Sequence, residues 1–117
     1  MIKIILVGLL SLFFIVNGIN HLFNTRVLEE YAEKRSLFSP RFSVIVSGIG
    51  MIIAAILLLF PQTKILGAYS LAIFVVLAAL LLHRFWLESS PETRMLEFQN
   101  FVKNFAIAIE MVYLGTY

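Results

Sequence analysis

Residues 4–25 read IILVGLLSLFFIVNGINHLFNT, 22 positions between Lys3 and Arg26 without a charge. Two further runs follow, 22 residues between Arg41 and Lys64 and 19 between Lys64 and Arg84. A helix of roughly 20 apolar residues crosses about 30 Å of hydrocarbon, where no water satisfies stray backbone groups. The three runs therefore predict membrane-spanning helices. A fourth run, Asn104 to Tyr117, is interrupted by a single acid, Glu110.

Composition points the same way. The 117 residues are 61% hydrophobic, against about 45–50% in an ordinary soluble domain. A soluble bundle needs a polar face on every helix, and Val44 to Phe60 offers only Ser47 among strongly polar side chains. The chain is expected to form one domain over 1–117. Lys3 followed by an apolar run imitates a signal peptide, but the run is long and no small-residue cleavage pattern precedes Asn17, so it reads as a retained first span. Net charge is +2, and no Lys/Arg stripe lies outside the loops, which argues against nucleic acid as a partner. The sequence holds no cysteine, so disulfides, thiolate metal sites and dithiol relays within the chain are excluded. A redox role would use a bound cofactor or belong to a partner.

Between the first two spans, Val27, Leu28, Tyr31 and Ala32 recur at helical spacing among Glu29, Glu30, Glu33, Lys34 and Arg35, predicting a short amphipathic helix at the membrane interface. Ser39-Pro40 then supplies an N-cap residue and a proline at the first helical position. Ser43, Ser47, Gly50 and Ala54 on the second span, and Gly67, Ala68 and Ala72 on the third, predict close helix packing by small residues. Pro61-Gln62 predicts a tight turn, His83-Arg84-Phe85-Trp86 an interfacial end to the third span, and Ser90-Pro91 the start of the fourth helix. The expected fold is all-α: a polytopic membrane four-helix up-down bundle, with helices near 4–21, 41–60, 64–84 and 91–115 and a short interfacial helix near 25–35. Four crossings put both termini on one side. Seven basic residues (Arg26, Lys34, Arg35, Arg41, Arg84, Arg94, Lys103) then share the loop face, against Lys3 and Lys64 opposite. The positive-inside bias places the loops in the cytoplasm.

Counting crossings also brings Asn17, Asn20 and His21 towards His83 and towards Gln99, Asn100 and Asn104. Two readings of this polar set stay open: a network that ties the helices together, or a site for a ligand with carbonyl or hydroxyl groups, such as a quinone. Two histidines also raise paired haem ligation, a weak signal without a second pair or a glycine cradle. No metal ligand set is expected.

The stretches Phe14-Ile-Val-Asn-Gly18-Ile-Asn-His21-Leu-Phe23, His83-Arg-Phe-Trp86 and Gln99-Asn-Phe-Val-Lys-Asn104-Phe-Ala-Ile-Ala108 resemble, in order and spacing, the DoxX-like family of small four-helix membrane proteins. Ile109-Glu110 stands where members usually carry a glycine pair. The resemblance implies an integral protein of the bacterial inner membrane. It also implies partnership with other membrane or membrane-associated subunits of a quinone-linked redox assembly. Catalytic residues of its own are not evident.

Glu110 is the sharpest single position, because an ionisable group inside a span is costly and usually functional. Ser11 on the first helix and either Tyr69 or Ser70 on the third are its expected neighbours. It would then hold the bundle together, dock a subunit, carry protons, bind a cation or meet a partner's charge. Three function classes follow: a non-catalytic subunit or accessory of a redox complex, a quinone- or haem-binding electron-transfer subunit, and a small proton-coupled exporter using Glu110.

Overall fold

A computed structural model describes residues 1–35 and 39–116, and five α-helices are formed among them. They are α1 (Ile2–Phe23), α2 (Thr25–Lys34), α3 (Pro40–Leu58), α4 (Lys64–Leu81) and α5 (Pro91–Thr116), with a 3-10 turn at Phe85–Leu87. No strand occurs among the described residues. Three segments are long and apolar enough to cross a membrane: α1, α3, and Lys64–Leu87, which takes in α4 and the turn after it.

The helix ends have local causes. α3 stops at Leu58, two residues short of the expected end, because Pro61 disfavours helical backbone at the residue before it and has no N–H to donate. The Thr63 hydroxyl closes the turn by donating to the Leu57 carbonyl at 2.7 Å. Ser39 does occupy the position before Pro40, but in left-handed backbone (φ 45°) and without a side-chain capping bond. α4 ends at Leu81 rather than 84. Beyond it the chain leaves the helix for the 3-10 turn, and its open carbonyls take donors from elsewhere.

α1 packs on α3, α3 on α4, and α4 on α5, while α2 lies across α3. Small residues set these approaches. A Cβ on Gly18 would stand 2.7 Å from the Gly48 carbonyl oxygen, and one on Gly67 would stand 2.6 Å from that of Ala54. The expected small-residue stripe on α3 is shifted in phase. Gly50 faces outward with nothing within 4 Å of a Cβ there, and Gly48 makes the contact instead. Ala54, Gly67, Ala68 and Ala72 are buried as expected.

Phe14, Met51, Ala55, Leu58, Leu71, Val75 and Met111 form the core. Outside it the surface remains apolar: Ile4, Leu12, Ile53, Ile73 and Ile109 are all more than half exposed. Helices that are apolar all round belong in lipid.

Candidate functional site

A cavity of about 520 Å³ opens where α1 and α4 finish and α5 begins. Of the seven polar residues expected to converge, Asn17, His21, His83, Asn100 and Asn104 line it, joined by Ser43, Ser47 and Lys103. Phe13, Phe74, Val75, Leu77 and Leu81 make its walls apolar. Asn20 and Gln99 are not part of it; both are exposed. Each precedes a lining residue by one position, and a step of one turns a helical side chain by about 100°. The side-chain Oδ1 of Asn20 instead accepts a bond from the side-chain Nδ2 of Asn24.

Local packing aims the lining side chains. The Cβ of His21 rests over Gly48, where an added Cβ would stand only 2.6 Å away. The Nδ1 atom of His21 is buried without a hydrogen-bond partner among the described residues. Asn17 donates one amide hydrogen back to the Phe13 carbonyl at 2.8 Å, and Asn104 is buried. Leu28, Tyr31 and Ala32 of α2 cover one side of the cavity.

Beside this cavity lies a polar centre that the sequence reading did not single out. Glu97, only 1% exposed, meets four residues from three segments of the chain: α2 and its C-cap, the end of α4, and α5 itself. The Tyr31 hydroxyl lies 2.8 Å from its Oε2 and 3.1 Å from its Oε1. Arg35 donates to Oε2 from Nη2 at 3.0 Å and from Nε at 3.2 Å. The Asn100 amide donates to Oε1 at 3.1 Å. His83 Nδ1 stands 3.4 Å from Oε2 and 3.2 Å from the Tyr31 oxygen. With the single phenolic proton committed to the carboxylate, the Tyr31–His83 contact assigns the Nδ1–H tautomer to a neutral His83, leaving Nε2 as an acceptor.

The same arginine repairs the end of α4. Its Nε donates to the Leu82 carbonyl at 2.8 Å, its guanidinium stacks 3.6 Å from the Tyr31 ring centre, and Arg84 donates in turn to the Arg35 carbonyl. Burial pushes the Glu97 carboxyl up, but bonds from Tyr31, Asn100 and Arg35, with the guanidinium charge, outweigh it and hold the group below the ordinary carboxylate value. Burial, then the Glu97 carboxylate, pushes the Tyr31 phenol well above its usual value, so it remains a donor.

A signal for Glu97 was present in the spacing. Glu97, Asn104, Ala108, Met111 and Gly115 form the buried face of α5, with Asn100 on the same stripe, in steps of three and four that trace one helical face. Glu110 falls off that stripe and is exposed on the outer surface. Ser11 is buried with its hydroxyl unpartnered among the described residues, and the Tyr69 hydroxyl pairs with Thr116 at 2.7 Å. Neither of these expected neighbours bonds to Glu110.

Apolar helices of bilayer length, surrounding a cavity with polar side chains at one end, define a helical membrane protein. The chain belongs to the DoxX family, whose pattern matches residues 5–84. That match covers α1 to α4 and includes Asn17, His21 and His83; the polar face of α5 lies beyond it. No curated protein and no solved structure matches the chain.

Proposed function

We propose that the chain is a non-catalytic subunit or accessory protein of a quinone-linked redox assembly, holding a quinone head group in the cavity beside Glu97. In this reading α5 is the fourth span of an up-down bundle, and the loops face the cytoplasm of a bacterial inner membrane. The observation that carries the proposal is the cavity's division into polar and apolar parts. A quinone presents two acceptor oxygens on a flat ring with an apolar tail, so its site needs a few N–H donors set in an apolar slot. Asn17, His21 and Asn104 supply nitrogen donors, and Phe74, Leu77 and Leu81 supply the slot. A volume of about 520 Å³ lies in the usual range of small-molecule sites, about 300–1,000 Å³.

When bound, a quinone supplies a two-electron, two-proton carrier. The chain's own part is to bind and orient the ring. His21 and Asn104 donate to its oxygens, and the Glu97 centre holds Tyr31 and His83 in place. α2 covers the site from the water side.

Binding of a short-chain ubiquinone to the purified chain in lipid nanodiscs tests the proposal. His21→Ala and Asn104→Ala should each weaken it about tenfold, the worth of one good hydrogen bond, while leaving the helical spectrum intact. Equal binding by the parent and both variants would remove the cavity as a quinone site.

A further inference from the structure

The outer face of α5 carries an acid at the level where lipid is driest. At one end of this helix, a Cβ on Gly115 would touch Ala68 and Tyr69. Further along, Ala108 and Val112 share an outward groove with Ala72 and Val76. This register sets Glu110 level with Ile73, at the middle of Lys64–Leu81. Glu110 is exposed there, between Ile109 at 70% and the Tyr113 side of the helix at 62% exposure. A carboxyl at such a depth is costly in lipid and is relieved by a partner group.

A second copy of the chain does not supply a cation. Copies in one membrane share an orientation, so each offers the other only residues of its own depth. Residues 4–25, 42–63 and 65–83 hold no Lys or Arg, and Lys103 lies seven positions from Glu110, about 10 Å along the axis. The groove between α4 and α5 lies on another flank: its lining residues Phe105, Ala108, Ile109 and Val112 centre about 150° round the helix from Glu110, so a partner of the acid meets α5 on the Glu110 flank.

We infer that the Glu110 face of α5 docks a transmembrane helix of a different subunit, one that presents Lys, Arg or His at mid-membrane. The inference rests on the reading of α5 as a membrane span and is independent of what the cavity binds.

The cysteine-free chain allows a fluorophore at Thr116→Cys, with energy transfer in phosphatidylcholine vesicles to synthetic Leu/Ala membrane helices carrying either Lys or Leu at their centre. The Lys helix should bind about tenfold more tightly than the Leu helix, the scale of an interhelical membrane hydrogen bond. Glu110→Leu, an apolar change on a lipid-facing position, should abolish the preference. Equal binding of the two helices overturns the inference. So does Glu110-dependent self-association that excludes the Lys helix, which would make the occupant a second copy. Impermeant labelling of Ser90→Cys and Thr116→Cys separates the underlying reading: modification from one side only overturns the span, and the docking surface with it. Opposite-side labelling with equal helix binding overturns docking alone.

Discussion

The hydroxyl of Tyr31 lies 2.8 Å from Oε2 of Glu97, a bond across 66 positions of sequence. It joins the amphipathic α2 to the buried face of α5. Arg35, one turn further along, reaches the same oxygen and also the open carbonyl of Leu82. One carboxylate thereby secures α2 over the cavity. Such an arrangement is stable because both carboxylate oxygens accept from donors placed around them, and removing the carboxylate leaves those donors buried and unpaired.

Tyr31→Phe removes the hydroxyl but keeps the ring beneath Arg35. The loss should be about 1–2 kcal/mol, expressed locally as opening of α2. Hydrogen exchange in detergent should show faster exchange at residues 27–34 with α3 and α4 unchanged. Unchanged exchange in α2 would show that the bond does not hold this helix.

Stability should fall at acid pH through Glu97. Its carboxyl is held below the ordinary value of 4.5, so the folded state binds the proton less readily than the unfolded chain does. Its contribution is therefore complete above about pH 4.5 and disappears as pH drops through the lower folded value. Thermal midpoints in detergent should show this fall for the parent. Glu97→Gln should be less stable at neutral pH and lack the fall, and Glu97→Ala should lose about 2–3 kcal/mol by stranding Arg35. Equal acid sensitivity of the parent and Glu97→Gln would assign the effect to another group.

Gly48 and Gly50 lie two residues apart on α3 and should respond oppositely to alanine. At Gly48 the methyl would stand 2.6 Å from His21 Cβ, whereas at Gly50 it meets nothing within 4 Å. Gly48→Ala should destabilise the α1–α3 contact by about 1–3 kcal/mol and weaken any binding that uses His21. Gly50→Ala should be neutral. Thermal unfolding of the two variants side by side measures the contrast.

Membrane orientation is open to direct labelling. With loops in the cytoplasm, a membrane-impermeant maleimide should modify Thr116→Cys in intact cells and spare Glu33→Cys until the cells are opened. Modification of position 33 alone in intact cells would reverse the assignment drawn from the basic residues.

The amino-acid sequence alone determined that α1, α3 and α4 are helices of membrane length. A charge-free run of that length leaves the backbone no other way to bond its polar groups in hydrocarbon. It also marked the breaks at Pro61 and at Ser90-Pro91, where proline chemistry acts locally, and the amphipathic α2, whose charges and apolar residues alternate at helical spacing. The pattern from Phe14 to Phe23 carried the family resemblance, and Asn17, His21, His83, Asn100 and Asn104 were legible as residues near one end. Only the tertiary structure decided how each helix is rotated about its own axis. In lipid an apolar helix has no preferred face, so composition does not tell Gly48 from Gly50 as the point of contact. The same ambiguity hid the roles of the two acids on α5. Glu110 drew attention because it interrupts an apolar run, yet its phase turns it outward. Glu97 passed as an ordinary charge in a polar turn, and it became the buried centre of the site because Tyr31, Arg35 and His83 reach it from segments remote in sequence.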